Sequence, residues 1–65
     1  MYKLIVDNNE AVGKLDELLN CDLLKCFDEK QSDLIKQELR HIEEYYGYLE
    51  MYVGEHTLVL MGVRK

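Results

Sequence analysis

The sequence predicts a mostly helical α+β protein: an antiparallel helical hairpin whose short N- and C-terminal strands form a β-ribbon, assembled as a dimer. Three observations predict it. The apolar residues Ile35, Leu39, Ile42, Tyr46, Leu49 and Val53 recur at alternating steps of four and three, the heptad spacing of one long amphipathic helix. Ahead of them Ala11, Val12, Leu15, Leu18 and Leu19 repeat at helical spacing over a shorter stretch. The two ends of the chain, Tyr2-Lys3-Leu4-Ile5-Val6 and residues 57–63, are instead rich in β-branched and apolar residues, as strands are.

Taken in order, the strand at residues 2–6 stops at Asp7-Asn8-Asn9, a run of turn and cap formers. Asn8 or Asn9 then caps a helix over residues 10–19, with Glu10 at the positive end of its dipole and paired to Lys14 one turn on. Gly13 weakens this helix by roughly 1 kcal/mol relative to alanine. Asn20 ends it, and residues 22–27 carry Leu23, Leu24 and Phe27 in a further helical turn or a packed loop. Asp28, with Gln31 three residues later, forms a variant capping box that opens the long helix over residues 29–53, although Ser32 followed by Asp33 is a second candidate cap. Gly54 terminates that helix, and the strand at 57–63 follows, its natural partner being the N-terminal strand.

This arrangement leaves a surplus. At 1.5 Å per residue the long helix spans roughly 38 Å, and the first helix covers less than half of it. Two strands are marginal by themselves. Either the terminal strands cover the C-terminal end of the long helix or a second subunit does.

The 65 residues have room for a single domain, 1–65, with a marginal core. An apolar content of 48% argues against disorder. The net charge of −5 is unevenly spread: between His41 and Val63 lie Glu43, Glu44, Glu50 and Glu55 and no lysine or arginine. Such a segment repels phosphate backbones, which disfavours direct nucleic-acid binding, yet it suits a basic protein surface, including one that normally holds nucleic acid. The start lacks the basic and apolar regions of a signal peptide and no run is long enough to span a membrane, so a cytoplasmic location is expected.

Little points to catalysis. Cys21, Cys26, His41 and His56 could furnish zinc ligands, but their spacing matches no standard finger or ribbon, so no metal and no cofactor is expected. His41 reads as a packed or interface residue. The pairs Asp16-Glu17, Asp28-Glu29 and Glu43-Glu44 are adjacent in sequence and diverge on a helix. No glycine-rich phosphate loop or nucleophile elbow is present, and enzyme activity is not expected.

The tyrosines are the most informative set. Tyr45, Tyr46, Tyr48 and Tyr52 crowd around Gly47, with Glu43, Glu44 and Glu50 beside them. Tyrosine is enriched at binding hot spots, so these seven residues form the expected protein interface, unless the rings simply cover the core. A different class of function is a sponge that sequesters a cyclic-nucleotide-type signal between tyrosine faces, which requires Lys3, Lys14, Arg40, Arg64 and Lys65 to converge on its phosphates. A structural dimerisation module is the third possibility.

The run Leu34-Ile35-Lys36-Gln37-Glu38-Leu39-Arg40-His41-Ile42-Glu43-Glu44-Tyr45-Tyr46-Gly47-Tyr48-Leu49-Glu50-Met51-Tyr52-Val53 resembles the second helix of a family of small tailed-phage hairpin proteins first noted in crAss-like phages. Leu34, Ile35, Ile42, Tyr45 and Leu49 sit in register with that family's pattern, and Glu10 with Lys14-Leu15 echoes its first helix. Glu38 replaces its glutamine and Tyr52 its usual arginine. The resemblance covers about two thirds of the chain. It implies a helical hairpin and an accessory phage protein without assigned chemistry. By analogy, the leading expectation is an anti-defence, anti-CRISPR-like inhibitor that occludes an unidentified host protein, working as a homodimer or higher oligomer.

Overall fold

The computed structural model describes residues 1–63 and shows an α+β fold with more sheet than the helical periodicity suggested. Strands β1 (Tyr2–Val6) and β2 (Asn9–Gly13) form a hairpin, followed by helix α1 (Leu15–Leu19) and a 3-10 helix at Asp22–Cys26. Helix α2 (Glu29–Leu39) and a second 3-10 helix at Ile42–Tyr45 lead into a second hairpin of β3 (Tyr48–Val53) and β4 (His56–Gly62). The four strands make one antiparallel sheet in the order β2-β1-β4-β3.

The expected helix at 29–53 is therefore corrected: it stops at Leu39. Its opening is built by Asp28, whose carboxylate accepts from the Gln31 N–H at 2.7 Å while the Gln31 side chain accepts from the Asp28 N–H at 3.2 Å. Ile35, Leu39 and Ile42 are buried, so the first half of the heptad reports a real packing face. The second half is coincidence, because Tyr46 is 97% exposed. Beyond Leu39 the backbone tightens into 3-10 geometry and then reverses through two left-handed residues, Tyr46 at φ 58° and Gly47 at φ 81°, which no helix accommodates. Gly47 N–H reaches back to the Ile42 carbonyl at 3.0 Å and Tyr46 N–H to that of Glu43 at 3.2 Å, the bonding of a Schellman stop. The stretch that resembles a phage-family second helix is thus α-helical only through Leu39, then a 3-10 turn and a strand.

Tyr46 occupies the left-handed position where glycine is the usual residue, and left-handed geometry costs a side-chain-bearing residue about 1–2 kcal/mol. Replacing Tyr46 by glycine is expected to raise unfolding free energy by about 1 kcal/mol, less whatever the freer unfolded chain takes back. Urea denaturation measures it, and a loss of stability would mean that the exposed ring contributes packing.

The expected helix at 10–19 is also corrected. Asp7 and Asn8 form a two-residue loop, with Asp7 at φ 55°, and Val6 pairs with Asn9. Residues 9–13 then run as β2, and α1 begins only at Leu15, where the Glu17 carboxylate accepts from the Lys14 N–H at 3.1 Å. A ten-residue helix is marginal by itself, whereas pairing with β1 extends a sheet already held by β4.

All α and 3-10 elements lie on one side of the sheet. Leu4 and Val6 of β1, Leu58 and Leu60 of β4 and Val53 of β3 point to that side and are buried against Leu18, Leu19, Leu24, Phe27, Ile35, Leu39 and Ile42. The ribbon expected from two terminal strands is in fact the centre of the sheet, with β1 and β4 paired from Tyr2↔Gly62 to Val6↔Leu58.

The two hairpin loops are tied at one end. Asp7 accepts from Thr57 N–H at 3.2 Å and is bonded to His56 Nδ1 at 2.8 Å, and the His56 ring meets Phe27 edge-on with centroids 5.1 Å apart. These bonds, the His56 hydrogen bond foremost and the Thr57 amide next, hold the Asp7 carboxyl below its ordinary pKa of 3.8. A depressed folded-state pKa stabilises above the unfolded value and is lost as pH falls through the folded one. The melting temperature of Asp7→Asn is therefore expected to lie below that of the wild type at neutral pH, and the gap to close once the pH has dropped below 3.8. A gap that persists in acid would assign the difference to something other than the carboxylate.

Candidate functional site

Strand periodicity fixes what the other side of the sheet carries, since alternate residues point to opposite faces. Facing away from the core are Glu10 and Val12 of β2, Lys3 and Ile5 of β1, Thr57, Val59 and Met61 of β4, and Tyr48, Glu50 and Tyr52 of β3. Register sets them in rows: Val12, Lys3, Met61 and Tyr48 form one, Glu10, Ile5, Val59 and Glu50 the next, and Thr57 and Tyr52 a third. No described element is laid over this face. Ile5, Val59 and Met61 are only half-buried by their neighbours, while Val12, Tyr48 and Tyr52 are exposed.

The aromatic edge is ordered by one carboxylate. Tyr52 OH donates to Glu50 Oε1 at 2.5 Å and Tyr48 OH donates to Glu50 Oε2 at 3.3 Å, so both rings bracket the acid. The hydrogen bond to Glu50, reinforced by its charge, raises the Tyr52 pKa above 10 and keeps the ring neutral. Lys3 Nζ lies 3.4 Å from Glu10 Oε1, so the cation on this face already has a partner. Among the described residues Glu50 has only hydroxyl partners, and their face presents an apolar centre with a net negative edge.

The seven residues expected at the interface fall into two groups. Tyr48, Glu50 and Tyr52 share the outer face of β3. Glu43, Glu44 and Tyr45 belong to the second 3-10 helix and Tyr46 to the turn after it. Within this second group Tyr45 OH donates to Glu38 at 3.2 Å, and the negative charge of Glu38 raises the tyrosine's pKa. His41 Nδ1 approaches Glu44 at 3.3 Å.

Reading the segment as helix hid Ile5, Val59, Met61, Val12 and Glu10 as members of the same surface. The signal was present in the strict alternation Tyr48-Leu49-Glu50-Met51-Tyr52-Val53, polar or aromatic outward and aliphatic inward.

The basic set is dispersed. Lys3 is on the outer face, Lys14 precedes α1, and Arg40 ends α2 on the opposite layer. Arg64 and Lys65 lie outside the described residues. A cleft of about 300 Å³ between α1 and α2 is lined by Leu24, Phe27, Cys21, Ser32, Lys25 and Lys36 among others, and contains none of the basic set. No family model, curated protein or solved structure matches this chain.

The cysteines do not form a disulfide: Cys21 is half-buried, and exposed Cys26 donates weakly to the Leu23 carbonyl at 3.5 Å. Among the described residues no three His, Cys, Asp or Glu side chains cluster as metal ligands, and no helix is long and apolar enough to cross a membrane.

Proposed function

We propose that this chain is a non-enzymatic binding protein whose open sheet face occupies a basic surface of a host protein, in the manner of a phage-type inhibitor of host defence. The observation that carries it is the uncovered face itself: half-buried Ile5, Val59 and Met61 at its centre, and Tyr48 and Tyr52 bracketing Glu50 at its edge. Apolar centres with aromatic anchors and polar rims are the anatomy of protein interfaces. The negative edge selects a partner with lysines or arginines and repels nucleic acid.

Dimensions support a protein ligand over a small one. Four strands at about 4.8 Å and five residues at about 3.3 Å give a flat area on the order of 300 Å². That is flat and unenclosed, unlike the concave sites that hold nucleotides. It is also less than the roughly 800 Å² per partner of a standard interface, so neighbouring surface must contribute. The exposed turn at Glu43 to Tyr46 adjoins β3 and is one such extension. A nucleotide sponge would need Lys3 and Arg40 on one ligand, and they occupy opposite layers.

The test is quantitative capture from a lysate of the native host by the tagged wild type and by a Tyr48→Ala/Tyr52→Ala variant. The expected result is a basic protein captured stoichiometrically by the wild type, released by its own nucleic acid and not held by the variant. Capture of no stoichiometric partner, or equal capture by both forms, would overturn the proposal.

A further inference from the structure

We infer that β3 pairs with β3 of a second copy, antiparallel and centred on Met51, joining two four-stranded sheets into one continuous sheet. β3 is an edge strand. Gly62 N–H donates to the Gly47 carbonyl at 2.8 Å, which fixes the alternation of hydrogen-bonded pairs along the β3–β4 ladder. By that alternation Leu49, Met51 and Val53 turn their backbone groups towards β4. Those of Tyr48, Glu50 and Tyr52 point to the free edge.

Edge strands are ordinarily blunted by lysine, proline, a bulge or brevity. β3 has none of these: it runs six residues without lysine or proline, and its register with β4 is unbroken. Its one charge, Glu50, is held between two tyrosine hydroxyls.

The register follows from side-chain chemistry. Residues opposite one another must share a face, so the two-fold axis must pass through a residue pair of like parity. An axis at Glu50 sets two carboxylates directly opposite, which is repulsive. An axis at Leu49 leaves only Tyr48 to Glu50 paired within the strand, because Gly47 and Tyr46 are in the turn. An axis at Met51 pairs the whole run from Leu49 to Val53, placing Leu49 against the partner's Val53 and Glu50 against the partner's Tyr52. The apolar side stays apolar, and each carboxylate faces a hydroxyl.

The helical layer offers surface on the same flank. Ser32 and Lys36 line the cleft towards α1, so at about 100° per residue Leu34 and Glu38 lie on the opposite flank of α2, the flank on which Gln31 approaches Gly54 of the β3–β4 turn and Glu38 accepts from Tyr45. Leu34 is 50% exposed there, and Tyr45, bonded to Glu38, is 42% exposed. A second copy along β3 covers both.

Pairing also makes the two outer faces continuous, with the Tyr48–Glu50–Tyr52 ladders side by side at the seam. The flat area rises from about 300 Å² to about 600 Å², nearer the size of a standard interface. This last consequence rests on the proposed function. The pairing itself does not.

Sedimentation of the full chain alone is expected to give twice the monomer mass at micromolar concentration. Glu50→Pro removes an N–H aimed at the free edge and no bond to β4, so it should yield a folded monomer with unchanged circular dichroism. In a Cys21→Ser/Cys26→Ser background, Met51→Cys should oxidise to a covalent dimer, because non-hydrogen-bonded antiparallel pairs bring Cα atoms to about 4.5 Å, within disulfide range. Leu49→Cys, opposite the partner's Val53, should not. If Glu50→Pro fails to fold, the cysteine pair decides. Monomer mass, or cross-linking of Leu49→Cys as complete as that of Met51→Cys, overturns the inference. A wild-type chain that sediments as a monomer yet captures a basic partner through its tyrosines overturns the pairing and leaves the proposed function standing.

Discussion

Leu60→Ala is expected to lower unfolding free energy by about 2–5 kcal/mol, the usual cost of deleting a buried leucine. Leu60 is 0% exposed on β4, an interior strand, where it lies between Leu4 of β1 and Leu49 of β3 on the core face. The surrounding residues belong to strands pinned on both sides, so the site cannot collapse to fill the cavity. At roughly 0.05–0.15 kcal/mol per residue, 65 residues give a total stability on the order of 3–10 kcal/mol. The substitution therefore removes a large share of it and should move the urea midpoint far below that of the wild type. Val59→Ala, one residue away on the open face, removes less carbon from a half-buried position and should cost about 1 kcal/mol. Urea midpoints compare the two directly. Equal losses would mean that the outer face is covered, and the candidate site would have to be abandoned.

The same alternation explains what the sequence disclosed and what it concealed. Asp28 with Gln31 was legible as a helix start because the reciprocal bonds of a capping box need only local geometry. Leu4 and Leu60 were legible as strand residues because β-branched and apolar runs bounded by turn formers have few alternatives. Residues 48–53 were ambiguous. Leu49 and Val53 lie four apart and satisfy a helix, while Leu49, Met51 and Val53 also satisfy a strand, and a short apolar stretch cannot decide between the two periods. Long-range contacts settled it. Gly54 at φ 62° opens a two-residue loop that folds Val53 onto His56, and β4 is held on its other side by β1. The positive φ of Gly47 makes it part of the helix stop, which the neighbouring Tyr46 disguises by fitting the heptad. The interface residues were recognised by type, since tyrosines and carboxylates stand out in any conformation. Their apolar companions Ile5, Val59 and Met61 were not, because only the sheet order brings them together.

Tyr48→Ala combined with Tyr52→Ala is expected to weaken capture of the basic partner far more than it weakens the fold. Buried tyrosine anchors typically lose about 2 kcal/mol or more on truncation, which is roughly 30-fold each. Both hydroxyls bond Glu50, so the two losses are coupled, and the double variant should fall short of their product. The rings are 50% and 74% exposed in the free chain, so their removal should cost no more than about 1 kcal/mol of stability, chiefly through cross-strand contacts such as that of Tyr52 with Thr57. Tyr48→Phe/Tyr52→Phe separates ring from hydroxyl: it retains the apolar anchors and releases Glu50. If the rings carry the binding, this variant keeps most of the affinity. If they serve mainly to position the carboxylate, it behaves like the alanine pair, and Glu50→Gln should then flatten the salt dependence of binding as well. Affinity indifferent to both pairs of substitutions would remove the open face from the interface and turn attention to the turn at Glu43 to Tyr46.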